Sequence, residues 1–423
     1  MGSVRIWMAA LLIVGINAAA YHWIGESPFK ADESLHLDAA AALSADFTFE
    51  SLTRYNDSKG PLFHIVYAAW FMAFGEHLAS ARIFTALIAV SVLVGWALLV
   101  SGTYRASAIT QGSNRQTSAM SCMLLLPLFP YFSAVSVLYM SEMLTLWFLI
   151  AGIILYQQVT ENGVRLSQHA AALYWGGALL FFGAAALVRQ HAIVFLIAVT
   201  LVSILNRRML TTGVAALTGL MVASAYLALL GGVTQQTNYH TDKFGMGARP
   251  WVGLHSIAIL GMFLGLPTML NRRRAAVGGV MMFVVGLLVV QMGGYDGNAK
   301  NFGIMRTLFL AIDGVSAAAA QVFWVASLVA GIVTLWVLGN LVLDPSKEQT
   351  VRMVSAASIV GVTICFIGPS IVYDRYLIIV VPFAGYALIR SGSLNCWGVK
   401  AMMGLAALLS SMYLLKYMVK GLH

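Results

Sequence analysis

Apolar runs of membrane-spanning length recur along almost the whole chain, and that recurrence fixes the fold class before any motif is considered. A bilayer core of about 30 Å calls for about 20 mostly apolar residues per helix. Candidate spans lie near residues 5–21, 81–101, 117–138, 142–157, 171–188, 191–206, 211–230, 252–270, 276–292, 318–342, 353–371, 376–390 and 400–416. Charged residues make up only 10% of the chain, where a soluble domain carries about 25%. The expected architecture is all-α: a polytopic membrane protein of 13 transmembrane helices, with residues 1–423 forming one integral membrane domain and no separate soluble domain. Ile6 to Tyr21, preceded by Arg5, has the outline of a signal peptide, but everything after it is also membrane-bound, so an uncleaved first helix is expected.

The stretch Pro61 to Gly75 is the exception to that pattern. Its apolar core is too short for a regular span and suits an interfacial or re-entrant helix. Charge bias selects between the arrangements. If the stretch lies on the outer face and the N-terminus is inside, the basic segments at 206–208, 271–275 and 344–352 all fall inside, as the positive-inside rule requires. If it crosses, Arg272 to Arg274 move outside. The first arrangement is therefore expected, with outer loops at 22–80, containing two interfacial helices, and at 231–251. The same bias accounts for the net charge of +9 without a nucleic-acid partner. Three scattered cysteines form neither a CxxC pair nor a disulfide framework.

Most carboxylates then gather on the outer face, and the densest group is "KADESLHLDAAAALSADFTFESLTRYNDSKGPLFH", Lys30 to His64. Asp32 and His36 are spaced i, i+4 and share a helix face, with Glu33 beside them. A carboxylate next to a histidine at the membrane surface suits a general base; a solvated acidic helix face is the plainer reading. Lys59 precedes Gly60-Pro61, where a helix begins, and a lysine at a helix N-terminus suits a phosphate group. A lysine snorkelling to headgroups fits as well.

Further outward-facing candidates are Glu142 at a span start, Arg189, Gln190 and His191 between two spans, His240 and Lys243 in the second outer loop, and Arg375 with Tyr376 beside Asp374. Charged side chains at such positions are costly unless they serve a site. Asp296, Asn298 and Asn301 form only a weak cation-ligand set, and Asn56-Asp57-Ser58 is a formal glycosylation sequon of the kind that arises by chance. The chain contains no Walker A, GxGxxG, GxSxG or HExxH pattern, which leaves nucleotide hydrolysis and serine or zinc hydrolase chemistry without a motif.

In order, "DESLH", "KGPLFH", "LLPLFPYFSAVSVLYMSEM", "VRQHAIVF" and "DRYLIIVVPF" resemble the pattern of the C-type (GT-C) membrane glycosyltransferases, which use polyprenyl-phosphate sugars. The layout is similar to the lipid A aminoarabinose transferase and protein O-mannosyltransferase group, and several stretches to the terminal glucosyltransferase of lipid-linked oligosaccharide assembly. The resemblance implies an inverting transfer of a sugar from a polyprenyl-phosphate donor to an acceptor hydroxyl on a glycan, lipid or protein. It places the protein in a bacterial inner membrane with its site facing the periplasm. Asp32 matches the family's catalytic acid, with Glu33 and His36 as neighbours, and Glu142 matches the acid of the second outer loop. Lys59, Arg189, Lys243 and Arg375 are the available cations for the donor phosphate. No cofactor is required by this scheme; a divalent cation near Asp32 and Glu142 is allowed by it. A flippase or transporter of a lipid-linked glycan is the alternative, and should show internal repeats and a mid-membrane polar pathway. An O-antigen-ligase-like polymerase should carry its main outer loop late in the chain, whereas the most acidic loop here is early.

Overall fold

A computed structural model describes residues 33–48, 51, 60–107, 122–161, 166–230, 250–270, 272–291, 294, 304–366, 374–394 and 396–420. The expected first span, near residues 5–21, lies outside them, as do the sequon and Asp296, Asn298 and Asn301. Among the described residues the secondary structure is helical, with no strand.

Two helices come first, α1 (Glu33–Ala45) and α2 (Pro61–Phe74). The long α3 (Leu78–Ser107), α4 (Ser141–Glu161), α5 (Gln168–Val188), α6 (Val194–Leu205) and α7 (Met209–Leu230) follow. Next are α8 (Pro250–Leu260), α9 (Arg272–Gln291), the amphipathic α10 (Ile304–Asp313) and α11 (Ala317–Leu343). The chain closes with α12 (Gln349–Thr363), α13 (Val381–Arg390) and α14 (Cys396–Lys420). By length and composition six helices can cross a membrane: Leu78–Ser101, Ser141–Glu161, Gln168–Val188, Met209–Ala228, Ala317–Leu343 and Gln349–Phe366. Shorter apolar helices stand beside them.

The surface these helices present explains why the fold is a membrane fold. Leu173, Leu180, Leu217, Leu220, Met221 and Leu227 are exposed on α5 and α7, an apolar girdle that a soluble protein does not tolerate. Inside, buried hydroxyls bond back to their own helix: Thr145 to the Ser141 carbonyl, Thr268 to Leu264, Thr334 to Ala330 and Ser358 to Val354. Polar side chains thereby satisfy themselves without unpairing a neighbouring span.

Small residues decide where backbones meet. The α8 helix passes through a π turn at Gly261–Gly265 and crosses α11. A Cβ at Gly261 would fall on the Ser327 carbonyl, and one at Gly331 on the Ile257 carbonyl. With no apolar solvent transfer to drive association between spans, such close approach is what holds them. Gly331→Ala should therefore lower the melting temperature through overpacking of roughly 1–3 kcal/mol. Gly339→Ala on the same helix, where a Cβ meets nothing, should be neutral or raise it by up to about 1 kcal/mol of helix preference.

One expected span takes a different form. Residues 122–140 do not make a continuous helix: turns occupy 126–131, a single helical turn covers Phe132–Val135, and further turns lead to Ser141. Pro127 and Pro130 are the cause, since each lacks an N–H and clashes with the preceding turn. Local bonds from Leu128 to Leu124, Phe129 to Leu126 and Val135 to Tyr131 re-satisfy the backbone. The segment still climbs the bundle. Trp96 Nε1 of α3 donates to the Cys122 carbonyl at 3.0 Å, whereas Tyr139 N reaches a side chain that also binds Arg82 of α3. Arg82 is 14 residues before Trp96, about 21 Å along the helix axis.

Contacts fix two ends of the bundle. Glu142, at the start of α4, meets Arg189, after the end of α5. At the other end of α4 lie Glu161, Asn206, Glu348, Arg352 and Arg390, from four different elements. Arg274, at the start of α9, donates to Ser393 beyond α13 at 2.8 Å, which puts α9 at that second end too. The basic segments at 206–208, 272–274 and 347–352 thus share one end, away from Glu142. Both ends of α2 lie at the first end: Gly60 N donates to the Val188 carbonyl, and Trp70 Nε1 to Ser80 near Arg82. The α2 helix therefore runs along the bundle end and does not pass through it.

Candidate active site

The described part of the site is built from two buried carboxylate–guanidinium pairs. The first joins α1 to α3. Arg82 Nε donates to Glu33 Oε1 at 2.9 Å and Nη2 to Oε2 at 2.6 Å. Both side chains are essentially inaccessible, at 1% and 0% exposure. A guanidinium presented edge-on to a carboxylate is the strong, directional form of such a pair. The Tyr139 N–H adds a third bond, to Glu33 Oε1 at 2.8 Å, and Tyr139 Oη donates to the His36 carbonyl at 3.1 Å. The proline-broken segment is what delivers that N–H, because a backbone amide inside a regular helix is already engaged.

The second pair is Glu142 with Arg189, at 2.5 Å and again almost fully buried. Arg189 caps the end of α5 in an extended conformation, followed by a 3₁₀ turn over Gln190–Ile193 that carries Gln190 and His191. A guanidinium at a helix C-terminus is also favoured by the helix dipole. The two pairs are neighbours. Tyr139, bonded to Glu33, is three residues from Glu142, a chain distance of at most about 10 Å.

Helix α2 packs these parts together. His36, Phe63, His64 and Tyr139 form a ring cluster, with His36 5.6 Å from His64 and Phe63 stacked on Tyr139 at 5.2 Å. Tyr67 Oη and Thr85 Oγ1 are 2.6 Å apart, tying α2 to α3. Gly60 seats the start of α2 against the last turn of α5, where a Cβ would strike the Leu187 carbonyl and the Tyr226 hydroxyl. Only glycine fits there. Gly60→Ala should lower the melting temperature by the equivalent of roughly 1–3 kcal/mol, and should move α2 away from the Arg189 turn.

Of the residues singled out from sequence, Glu33, His36, Glu142, Arg189, Gln190 and His191 lie in or beside these pairs. Glu33, read from sequence as a neighbour of Asp32 and His36, is buried and held by Arg82 and the Tyr139 N–H, as a buried carboxylate must be compensated. Asp38 is exposed, and Asp46 follows the end of α1 with bonds to Thr48 and Ser51. Asp32, Lys59, His240 and Lys243 lie outside the described residues. Arg375 and Tyr376 sit in a 3₁₀ turn over Asp374–Ile379. Among the described residues no group of three or more His, Cys, Asp or Glu is placed to hold a metal.

Arg82 and Tyr139 are the site residues that sequence reading passes over, and Gly60 stands out there only as the residue before a helix start. Arg82 did carry a signal, being a lone arginine just inside an apolar helix, where charges almost always have a partner. Tyr139 contributes through its backbone, which leaves no trace in residue type.

No family model matches the chain, and no curated protein is significantly similar in sequence. Two solved structures are similar to it in outline. One is ArnT from Cupriavidus metallidurans in the apo state, at 12% identity and a TM-score of 0.39, covering 97% of this chain and 78% of that one. The other is the same protein bound to undecaprenyl phosphate, at 12% identity and a TM-score of 0.41, covering 97% and 77%. A likeness of that degree assigns neither a residue role nor a reaction.

Proposed function

We propose that the protein is a membrane glycosyltransferase that moves a sugar from a polyprenyl-phosphate donor to an acceptor hydroxyl. What carries the reading is the conjunction of the two acidic motifs. Glu33 of "DESLH" and Glu142 of "MSEM" are far apart in sequence, yet both are buried against arginines within one end of the bundle. The residue pattern that resembles the C-type glycosyltransferases supplies the chemistry proposed for that end.

In this scheme Asp32, adjacent to the anchored Glu33, takes the proton of the acceptor hydroxyl. The hydroxyl oxygen attacks the anomeric carbon in line, the bond from that carbon to the phosphate oxygen breaks with its electron pair, and lipid phosphate departs. The anomeric configuration inverts. Negative charge grows on the leaving phosphate, so cations fixed there favour the transition state over the ground state. Arg189, with Lys59, Lys243 and Arg375, is proposed for that role. No metal is assigned a step.

The test is a transfer assay in membranes with a panel of polyprenyl-phosphate sugars. Wild-type protein should consume one donor, and Asp32→Asn should lose at least about 100-fold in turnover, the lower range for a general base. Donor consumption by neither protein, or full activity in Asp32→Asn, would sink the assignment.

A further inference from the structure

At the far end of α4 from Glu142 lies a second polar site, a cavity of about 410 Å³. Its walls include Glu161, Asn206, Lys347, Glu348, Arg352 and Arg390. The separation from the first site follows from the helix. Glu142 and Glu161 are 19 residues apart on one continuous α4, about 28 Å along its axis. The volume falls within the roughly 300–1,000 Å³ of small-molecule sites.

The charges in this cavity are only partly matched to one another. Arg390 and Glu348 form a closed fork, at 2.8 and 2.6 Å. Arg352 is different. It is 4% exposed, and its guanidinium donates only to neutral oxygens, the Val342 carbonyl at 2.8 Å and Asn206 Oδ1 at 2.6 Å. Among the described residues no carboxylate is in ion-pair reach of it. The nearby Asp344 accepts instead from the Ser346 N–H and hydroxyl. Asn206 Nδ2 is buried without an acceptor. Lys347 makes only a long contact of 3.5 Å, to the Ser391 carbonyl. In the same lining, Glu161 accepts from the neutral Gln157 Nε2 at 2.9 Å through Oε2, its Oε1 is buried without a hydrogen-bond donor, and among the described residues it forms no ion pair, although Arg390 and Glu348 are near. A buried charge without a counter-charge is costly. Here a buried cation with two idle donors beside it, and a carboxylate, face one cavity and are not paired with each other.

We propose that this cavity binds a zwitterion of the phosphoethanolamine type. Its phosphate is received by Arg352, Lys347 and Asn206 Nδ2, and its primary ammonium by Glu161. The ammonium must carry N–H donors, because a carboxylate binds such a group by charge-assisted hydrogen bonds; a quaternary choline offers none. The group can come from a phospholipid headgroup or from a soluble phosphoamine. The inference does not depend on the transferase reading, since none of these residues belongs to the Glu33 and Glu142 end.

The test uses purified full-length protein. Native mass spectrometry counts retained lipid after equal additions of phosphatidylethanolamine, phosphatidylcholine and phosphatidylglycerol. A parallel thermal-shift titration uses soluble phosphoethanolamine and inorganic phosphate. Phosphatidylethanolamine should be retained about tenfold over phosphatidylcholine, the equivalent of one charge-assisted hydrogen bond. Lys347→Gln should weaken retention of that lipid, and Glu161→Gln should bring the two lipids level. Lys347 is the safer variant, being half-buried and weakly bonded. If soluble phosphoethanolamine raises the melting temperature and no lipid is retained, the same chemistry has a soluble source. Equal retention of all three lipids with no shift from phosphoethanolamine overturns the proposal. So does a preference for phosphatidylglycerol, a shift by phosphate equal to that by phosphoethanolamine, or a preference that both variants leave intact.

Discussion

Arg82→Met is expected to be among the most damaging single substitutions in this protein, although Arg82 lies in no recognised motif. It removes the counter-charge from a carboxylate with no access to water, and breaking a buried pair on one side costs about 3–5 kcal/mol. Arg82→Lys should rescue little, because a lysine cannot reproduce the two-pronged contact with both oxygens of Glu33. The companion variant is Glu33→Leu with Arg82→Met. Replacing both charges with apolar groups is often near neutral, but here the Tyr139 N–H would lose its acceptor, at about 1–3 kcal/mol. The double variant should therefore recover part of the stability and not all of it. The check is a thermal-melt double-mutant cycle; additive effects of the two substitutions would mean that the fork is not the tie between α1 and α3. If the transferase reading holds, the partly restabilised double variant should still transfer poorly, since the fork that anchors the chain directly after Asp32 is gone.

The second large effect concerns Arg189. Arg189→Gln takes away the guanidinium that meets the buried Glu142 carboxylate, so both stability and any transfer activity should fall. Those two losses can be separated. Glu142→Gln combined with Arg189→Gln leaves neither charge uncompensated and should restore most of the melting temperature. If the guanidinium also stabilises a departing phosphate, turnover in the double variant should stay down by about 100- to 1,000-fold, the magnitude of losing one fixed transition-state donor. Recovery of turnover together with stability would limit Arg189 to holding the α5–α6 turn.

Both predictions turn on bonds that link distant segments, and these show where sequence reading reaches its limit. Helical composition, most helix positions and the exceptional character of Pro61–Phe74 follow from hydropathy and length, because a 3.6-residue helix in an apolar medium leaves few alternatives. Glu142 and Arg189 stood out because charged residues at span ends are costly. Their meeting at 2.5 Å did not, since no periodicity connects residues 47 apart in the chain. The stretch at 122–140 illustrates the opposite failure. Its hydropathy fits a span, but Pro127 and Pro130 break the hydrogen-bond ladder, and hydropathy does not register that.

The sequence by itself determined the class of fold, through the length and repetition of its apolar runs, and the gathering of acids around Lys30 to His64. The tertiary structure alone decided which of those acids is anchored, because burial of Glu33 is compensated by Arg82 on α3 and by a backbone N–H from the broken segment. It also decided that Glu161 and Arg352 would face one cavity at the far end. Partner choice among charges depends on distance and on exclusion of water, and both are set only when the helices pack.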